Sequence, residues 1–262
     1  MTNLDDYSRK YRHADLERDA TGVLRVTLHT DGGPLAYGRH VHTEWLELWS
    51  DIARDAGTRL VIITGAGESF IPARPMPGGT KRAESYTPQL FHAFWHEGMR
   101  HIMDMLAIPV LVIAAVNGPA RIHCEIALLS DLVLATPDTV FQDLPHFPEQ
   151  VVPGDGMHVL MPLLLGRIRS GPFLYRGEEI NAEDAQRLGL VNEIVERPVL
   201  LGRAYEVGQE LLRQPDHNLR YLRMLLMHDV KRRMHELLGL GLAVEGLASL
   251  SNDWSDWEAP RV

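Results

Sequence analysis

The sequence predicts an α/β fold with a helical C-terminal region. Three observations carry that reading. Short apolar runs, Leu60 to Thr64 (LVIIT) and Val110 to Val116 (VLVIAAV), have the length and β-branched content of buried strands. Segments of helical spacing separate them, and strands alternating with helices imply mostly parallel pairing. Beyond Pro198 no strand pattern returns, and the chain reads as helix to about Leu250.

The elements follow in order. Leu24 to His29 alternates as a strand and meets a turn at Asp31-Gly32-Gly33-Pro34. Thr43 to Ala56 is a helix with Trp45, Leu48, Trp49 and Ile52 on one side. The LVIIT strand ends at Gly65-Ala66-Gly67. Pro72 to Pro88, rich in Pro, Gly and charge, reads as a loop, and Gln89 to Leu106 as a helix. The VLVIAAV strand ends at Asn117-Gly118-Pro119. Cys124 to Leu129 is helical, Leu132 to Ala135 and Val140 to Gln142 are short strands, and Val159 to Leu165 and Ala182 to Leu188 are helices. Leu190 to Val195 is a last strand. We divide the chain into a core, 1–197, and a helical oligomerisation region, 198–262.

Bulk properties narrow the function. With 262 residues, 45% of them hydrophobic, the chain can build one large core. A formal net charge of −9 argues against a nucleic-acid surface. The single cysteine, Cys124, permits no internal disulfide and agrees with a reducing compartment. The polar N-terminus lacks the apolar stretch of a signal peptide, and no run has the ~18 apolar residues of a membrane span. The expected setting is the cytoplasm, without a membrane partner.

Val140 to His158 (VFQDLPHFPEQVVPGDGMH) is the segment richest in chemistry. It holds His146 and Asp155 among Pro145, Pro148, Pro153, Gly154 and Gly156, so its backbone is shaped by residues that restrict or extend φ. A shaped loop presenting a histidine and a carboxylate suits a general base with its orienting partner. The plain alternative is a surface loop. His123 and Glu125 stand at a strand-to-helix junction, where α/β folds place ligands. Glu125 alone is also explained as a carboxylate favoured at a helix start. Glu245 interrupts the apolar stretch Leu237 to Leu250 and is either exposed or functional.

Other signals are weak. Gly65-x-Gly67 lacks the third glycine of a dinucleotide turn, and neither a phosphate-binding GxxxxGK[ST] nor a GxSxG elbow occurs. His96-Glu97 begins a zinc-protease pattern, but His101 comes one residue too late to share the helix face. His92 and His96 do share a face, though two histidines alone seldom make a metal site.

Several segments resemble the crotonase (enoyl-CoA hydratase/isomerase) superfamily: VIITGAGESF, PVLVIAAVNGPA, CEIALLSDLVLATPDTVFQ and RGEEINAEDAQRLGLVNEIV. The resemblance implies a spiral of ββα units with a helical C-terminal region, assembled as a homotrimer or a dimer of trimers. The departures concern chemistry. Where hydratases carry Gly-Gly-Gly before Cys-Glu, this chain has Arg121-Ile122-His123. Where they carry a first oxyanion segment, it has Phe70-Ile71-Pro72-Ala73-Arg74-Pro75, and proline has no amide hydrogen. Their second catalytic glutamate is His146 here, after Pro145, while Glu125 keeps the first position.

This altered set resembles the 6-oxocamphor hydrolase branch, which hydrolyses carbon–carbon bonds of cyclic β-diketones without coenzyme A. The similar stretches are His29 to Gly33, Asn117 to Pro119, Phe141 to Pro148, Val152 to Gly156 and Leu240 to Glu245. The resemblance implies catalytic roles for His123, His146, Asp155 and Glu245, with Tyr37 where the branch has a tryptophan, and no cofactor and no metal. On that reading His146 is the general base, with the ordinary histidine pKa of ~6.5. Asp155 accepts from its other ring nitrogen, and His123 and Tyr37 donate to the departing enolate. Glu245 assists proton delivery or water placement. The alternatives are a CoA-thioester hydratase, isomerase or hydrolase using Glu125, and a non-catalytic binding subunit.

Overall fold

A six-stranded sheet organises the chain. The computed structural model describes residues 2–73 and 87–250. The strands are β1 (Ala14–Arg18), β2 (Val23–Leu28), β3 (Leu60–Gly65), β4 (Leu111–Val116), β5 (Leu132–Ala135) and β8 (Glu193–Ile194), in that spatial order. Only β1 and β2 pair antiparallel; β2 through β8 run parallel. A two-stranded antiparallel ribbon, β6 (Val140–Phe141) and β7 (Ile180–Asn181), forms a second layer. Isolated bridges from Ile71 to Ala120 and from Ala120 to Phe141 tie the loops after β3 and β4 to it.

Between the strands run α2 (Arg39–Arg54), α3 (Pro88–Leu106), α4 (Glu125–Leu128), α5 (Met157–Leu165), α6 (Arg167–Arg176) and α7 (Ala182–Arg187). A short helix, α1 (Leu4–Tyr7), precedes β1. The C-terminal region is α8 (Arg197–Leu211), α9 (Asp216–Leu226) and α10 (His228–Ser249). Thr87 caps α3 by accepting from the Leu90 amide at 3.2 Å, and Pro88 fills the first helical position, where a missing amide hydrogen costs nothing. Asn181 caps α7 in the same way.

Every residue of β3 is buried, which explains its unbroken apolar run. One face of the sheet (Val61, Ile63, Val112, Ala114) packs with Trp45, Leu48, Trp49 and Ile52 of α2. The opposite face (Leu60, Ile62, Ile113, Leu134) meets Leu200, Ala204 and Leu212 of the C-terminal region. Each fully buried leucine or isoleucine here contributes about 1.5–3 kcal/mol. Thus α8 closes the core itself, while α10 lies against α3 and α5.

The elements α1, β1, α6 and β7 are absent from the sequence reading. Ala14–Arg18 is an edge strand that charged Asp15, Glu17 and Arg18 had obscured. Arg167–Arg176 is a helix despite Gly171 and an internal Pro172. Most of the expected Pro72-to-Pro88 loop, including Arg74 and Pro75, lies outside the described residues. Among the described residues no helix is long and apolar enough to cross a membrane.

Candidate active site

Three loops at the C-terminal ends of strands build the site, as parallel sheets tend to arrange it. The turn after β3 is held by Asn117, whose side chain accepts from the Gly65 amide and donates to the Gly67 carbonyl, each at 3.0 Å. A Cβ on Gly65 would fall 2.1 Å from the Ser69 carbonyl oxygen, so only glycine fits. The amides of Phe70 and Ile71 both donate to the Pro119 carbonyl, at 3.1 and 3.2 Å, and Pro72 has none to give. This segment therefore offers a carbonyl oxygen no donor from residues 70–72.

The loop after β4 carries His123 in the left-handed region, at φ 49°, which is uncommon for a residue with a side chain. Strain of this kind collects where a side chain must be aimed. Its Nδ1 lies 2.5 Å from Glu125 Oε1. Burial raises the Glu125 carboxyl; at His123 burial is the largest single influence and opposes an imidazolium, but the charge and hydrogen bond of Glu125 and the charge of Asp155 together raise its pKa, so the pair keeps a proton. The Tyr37 ring lies 4.3 Å from the His123 ring, centroid to centroid. Its buried hydroxyl has no partner among the described residues, and burial holds the phenol protonated.

The loop after β6 carries His146 and Asp155, and it ends against α10. A Cβ on Gly154 would fall 2.2 Å from the Gly241 carbonyl oxygen and 2.7 Å from Glu245 Cβ. The two glycines let loop and helix touch, and this brings the buried Glu245 to the site. Burial pushes the Glu245 carboxyl up to about 8, an effect the His146 charge offsets only in part. One Glu245 oxygen has no hydrogen-bond partner among the described residues.

Asp155 is the shared centre. Its Oδ2 lies 3.5 Å from His146 Nε2 and 3.7 Å from His123 Nδ1. Burial disfavours its charge, but the two imidazoles hold its carboxyl below the usual range. The structure thus gathers Tyr37, His123, His146, Asp155 and Glu245, which stand far apart in the sequence.

Two expectations about His146 need correcting. Its ring nitrogen Nδ1 meets Asp143 Oδ1 at 2.5 Å, while Asp155 stands on the other side, beyond direct hydrogen-bond range. Its pKa is also not the ordinary one. Burial opposes the charge, yet Asp143, Asp155 and Glu245 together hold the imidazolium well above 6.5.

Sequence reasoning missed three neighbours. Asp143 precedes His146 by three residues, and that spacing was the available signal. His42, from α2, sets its Nδ1 3.3 Å from Glu97 and its ring 6.1 Å from His123. His101, from α3, is buried with neither ring nitrogen paired among the described residues, and burial keeps it neutral. Its ring centroid lies 5.4 Å from that of His123. Donor atoms of His101, His123 and Glu125 fall within 4.8 Å of one another, so these residues could approach one cation. The short His123–Glu125 hydrogen bond makes a shared proton the better description. His92 and His96 lie with ring centroids 6.5 Å apart, and both are exposed.

The enoyl-CoA hydratase/isomerase family profile matches residues 18–244. The chain belongs to that family. Within the family it is 24% identical over 239 residues to 1,2-epoxyphenylacetyl-CoA isomerase of Escherichia coli K12, covering 90% of each chain. It is 30% identical over 167 residues to carnitinyl-CoA dehydratase of Citrobacter koseri, a match spanning 63% of this chain and 62% of the relative. Among solved structures it is similar to a β-diketone hydrolase from the cyanobacterium Anabaena sp. PCC 7120, bound to (S)-3-oxocyclohexyl acetic acid. The TM-score is 0.89 and the identity 38%, over 94% of this chain and 97% of that one. An enoyl-CoA hydratase/isomerase from Mycobacterium paratuberculosis shares the fold, with TM-score 0.83 and 24% identity over 95% and 98%.

Proposed function

We propose that this family member is a carbon–carbon bond hydrolase that opens cyclic β-diketones by a retro-Claisen reaction. The observation that carries the reading is the convergence of His146 Nε2 and His123 Nδ1 on one oxygen of Asp155, at 3.5 and 3.7 Å. Likeness to a solved β-diketone hydrolase supports it. So does Pro72, which removes a backbone amide from the segment where hydratases bind a thioester oxygen.

In the proposed reaction, water beside Asp155 gives a proton to His146 Nε2 as its oxygen attacks one ketone carbon. Neighbouring carboxylates make His146 a stronger base than a free imidazole, so its neutral form is scarcer at neutral pH and more reactive once formed. The tetrahedral intermediate collapses to a carboxylic acid. The carbon–carbon bond breaks, and its electron pair moves onto the other carbonyl as an enolate. Protonation of the enolate carbon completes the addition of one water. His123, protonated with Glu125, and the unpaired Tyr37 hydroxyl are the donors to the developing negative oxygen. Each such donor is worth about 3 kcal/mol in comparable sites. Glu245, neutral below about 8, is the acid placed nearest the Asp155 loop.

A second reading, CoA-thioester chemistry through Glu125, rests on the relatives named as CoA isomerase and dehydratase. Against it, Glu125 Oε1 is engaged by His123. Loss of enol absorbance from a bicyclic 1,3-diketone, measured beside calorimetric titration with an enoyl-CoA, separates the two. Turnover of the diketone with no thioester binding supports the first; the converse supports the second.

We also propose a homotrimer, singly or paired, in the cytoplasm. The helices α9 and α10 expose Leu222, Leu225, Leu226, Leu240 and Leu247, an apolar face that needs cover. A second copy of the chain is the occupant we propose.

A further inference from the structure

We propose that Asp143 is the positioning residue of the site: it holds the Nδ1 hydrogen of His146 and leaves Nε2 as the nitrogen that exchanges protons with water at Asp155. This deepens the diketone-hydrolase reading and rests on it for the identity of the water's target, though not for the hydrogen bond itself.

The geometry assigns unequal roles to the two carboxylates that flank the ring. Asp143 Oδ1 lies 2.5 Å from Nδ1, a charge-assisted hydrogen bond in length. Asp155 Oδ2 lies 3.5 Å from Nε2 and is shared with His123. Once the imidazolium gives up a proton, the proton retained is the one in the short bond. The neutral ring therefore carries its hydrogen on Nδ1, with the Nε2 lone pair facing Asp155. This is the tautomer that a base directed at Asp155 requires.

The framework around Asp143 is fixed. The Gln142 amide donates to the Ala120 carbonyl at 3.1 Å, and the Gln142 side chain donates to the Gly177 carbonyl at 2.8 Å. The Leu144 amide donates to the Arg121 carbonyl, and the Val151 amide closes the loop onto the His146 carbonyl. Asp143 is thus clamped on both sides, at 3% exposure, which leaves it no role in solvation. Asp155 sits between glycines, with Gly156 at φ 114°; its Oδ1, like Asp143 Oδ2, has no partner among the described residues. The carboxylate in short contact with Nδ1 orients the ring; the one at 3.5 Å from Nε2 stands where the reacting water would lie.

The groups facing His146 come from several elements: Asp143 from its own loop, Asp155 from the loop before α5, Glu245 from α10, and His123 with Glu125 from the turn into α4. Removing the Asp143 charge leaves the others in place, so its effect can be isolated.

The test is nitrogen NMR on protein with ¹⁵N-labelled histidine, with the His146 signals assigned from a His146→Asn variant. In the wild type, as pH rises, Nε2 is expected to lose its proton while Nδ1 keeps its own. In Asp143→Asn the midpoint of the His146 titration should fall by about one to three pH units, the effect of losing one adjacent opposite charge. In a diketone assay the alkaline-rising limb of kcat should move down with it, with KM within a few-fold of wild type. A wild-type ring that keeps its proton on Nε2, or a His146 midpoint unmoved in Asp143→Asn, overturns the assignment. The wild-type measurement needs a folded variant only to assign its signals, and neither titration needs a substrate. Failure of the diketone reading alone would appear as expected titrations with no turnover.

Discussion

Glu125 Oε1 lies 2.5 Å from His123 Nδ1. The carboxylate that a hydratase would direct at substrate is here spent on an imidazole two residues away. On the proposed reading, that contact makes His123 a fixed, protonated donor, and it is where the chemistry would part from thioester hydration.

Glu125→Gln should therefore act through His123. A diketone assay is expected to show a loss of kcat of about 10- to 100-fold, the worth of one charge-assisted hydrogen bond. His123→Ala should cost as much or more, and the double variant should be no worse than His123→Ala alone. Additive losses in that cycle would separate the two residues.

The pH dependence has a definite sign. His146 must be neutral to accept a proton, and its value lies well above 6.5. The rate kcat/KM should accordingly rise with pH through and beyond neutrality, rather than level off near pH 6.5. A profile already flat by pH 7 would argue that His146 is not the base.

Stability should show the same groups with the opposite trend. Both His146 and Glu245 bind protons more tightly folded than unfolded. Glu245 rises from an ordinary 4.5 to about 8. Between those values the folded state holds the extra proton, so stability falls as pH rises, by about 1.4 kcal/mol per pH unit at most. The His146 contribution is complete below about pH 6.5 and is lost as pH climbs through its folded value. Glu245→Gln should then melt at a higher temperature than wild type at pH 9, with the gain vanishing at pH 5. Equal melting at both values would remove Glu245 from the account.

Gly154→Ala tests how Glu245 reaches the site. The new methyl would meet the Gly241 carbonyl and must push α10 away. Destabilisation of about 1–3 kcal/mol is expected from overpacking of this kind. Activity should fall further than the melting temperature alone explains, as measured on protein still folded at the assay temperature.

The proposed trimer is tested on its exposed leucines. Leu225→Lys with Leu226→Lys should convert the assembly to monomers by light scattering, since both side chains lie on the uncovered face of α9. A wild-type protein that is already monomeric would contradict the proposal.

Much of the fold was legible because its strands are unbroken apolar runs and its helices carry aromatic stripes, as in β3 and α2. Where polar residues interrupted the pattern, as in β1, or Gly-Pro did, as in α6, the signal failed although the element formed. The residues of the candidate site were legible as neighbours but not as a set of bonds. Asp155 was matched to His146 because both stood in one shaped loop. The clamp on Gln142 and Leu144 that turns Asp143 toward Nδ1 comes from Ala120, Arg121 and Gly177. Such partners are distant in sequence, and no local pattern announces them. His42 and His101 were hidden for the same reason, each on a helix of its own.

The most direct test is turnover of a bicyclic 1,3-diketone, followed by loss of enol absorbance, with wild type and His146→Ala compared at equal concentration. Hydrolysis to a keto acid by the wild type, and none above background by a folded His146→Ala, is the expected result. Undiminished turnover in that variant, or an inert wild type that hydrates an enoyl-CoA, would contradict it.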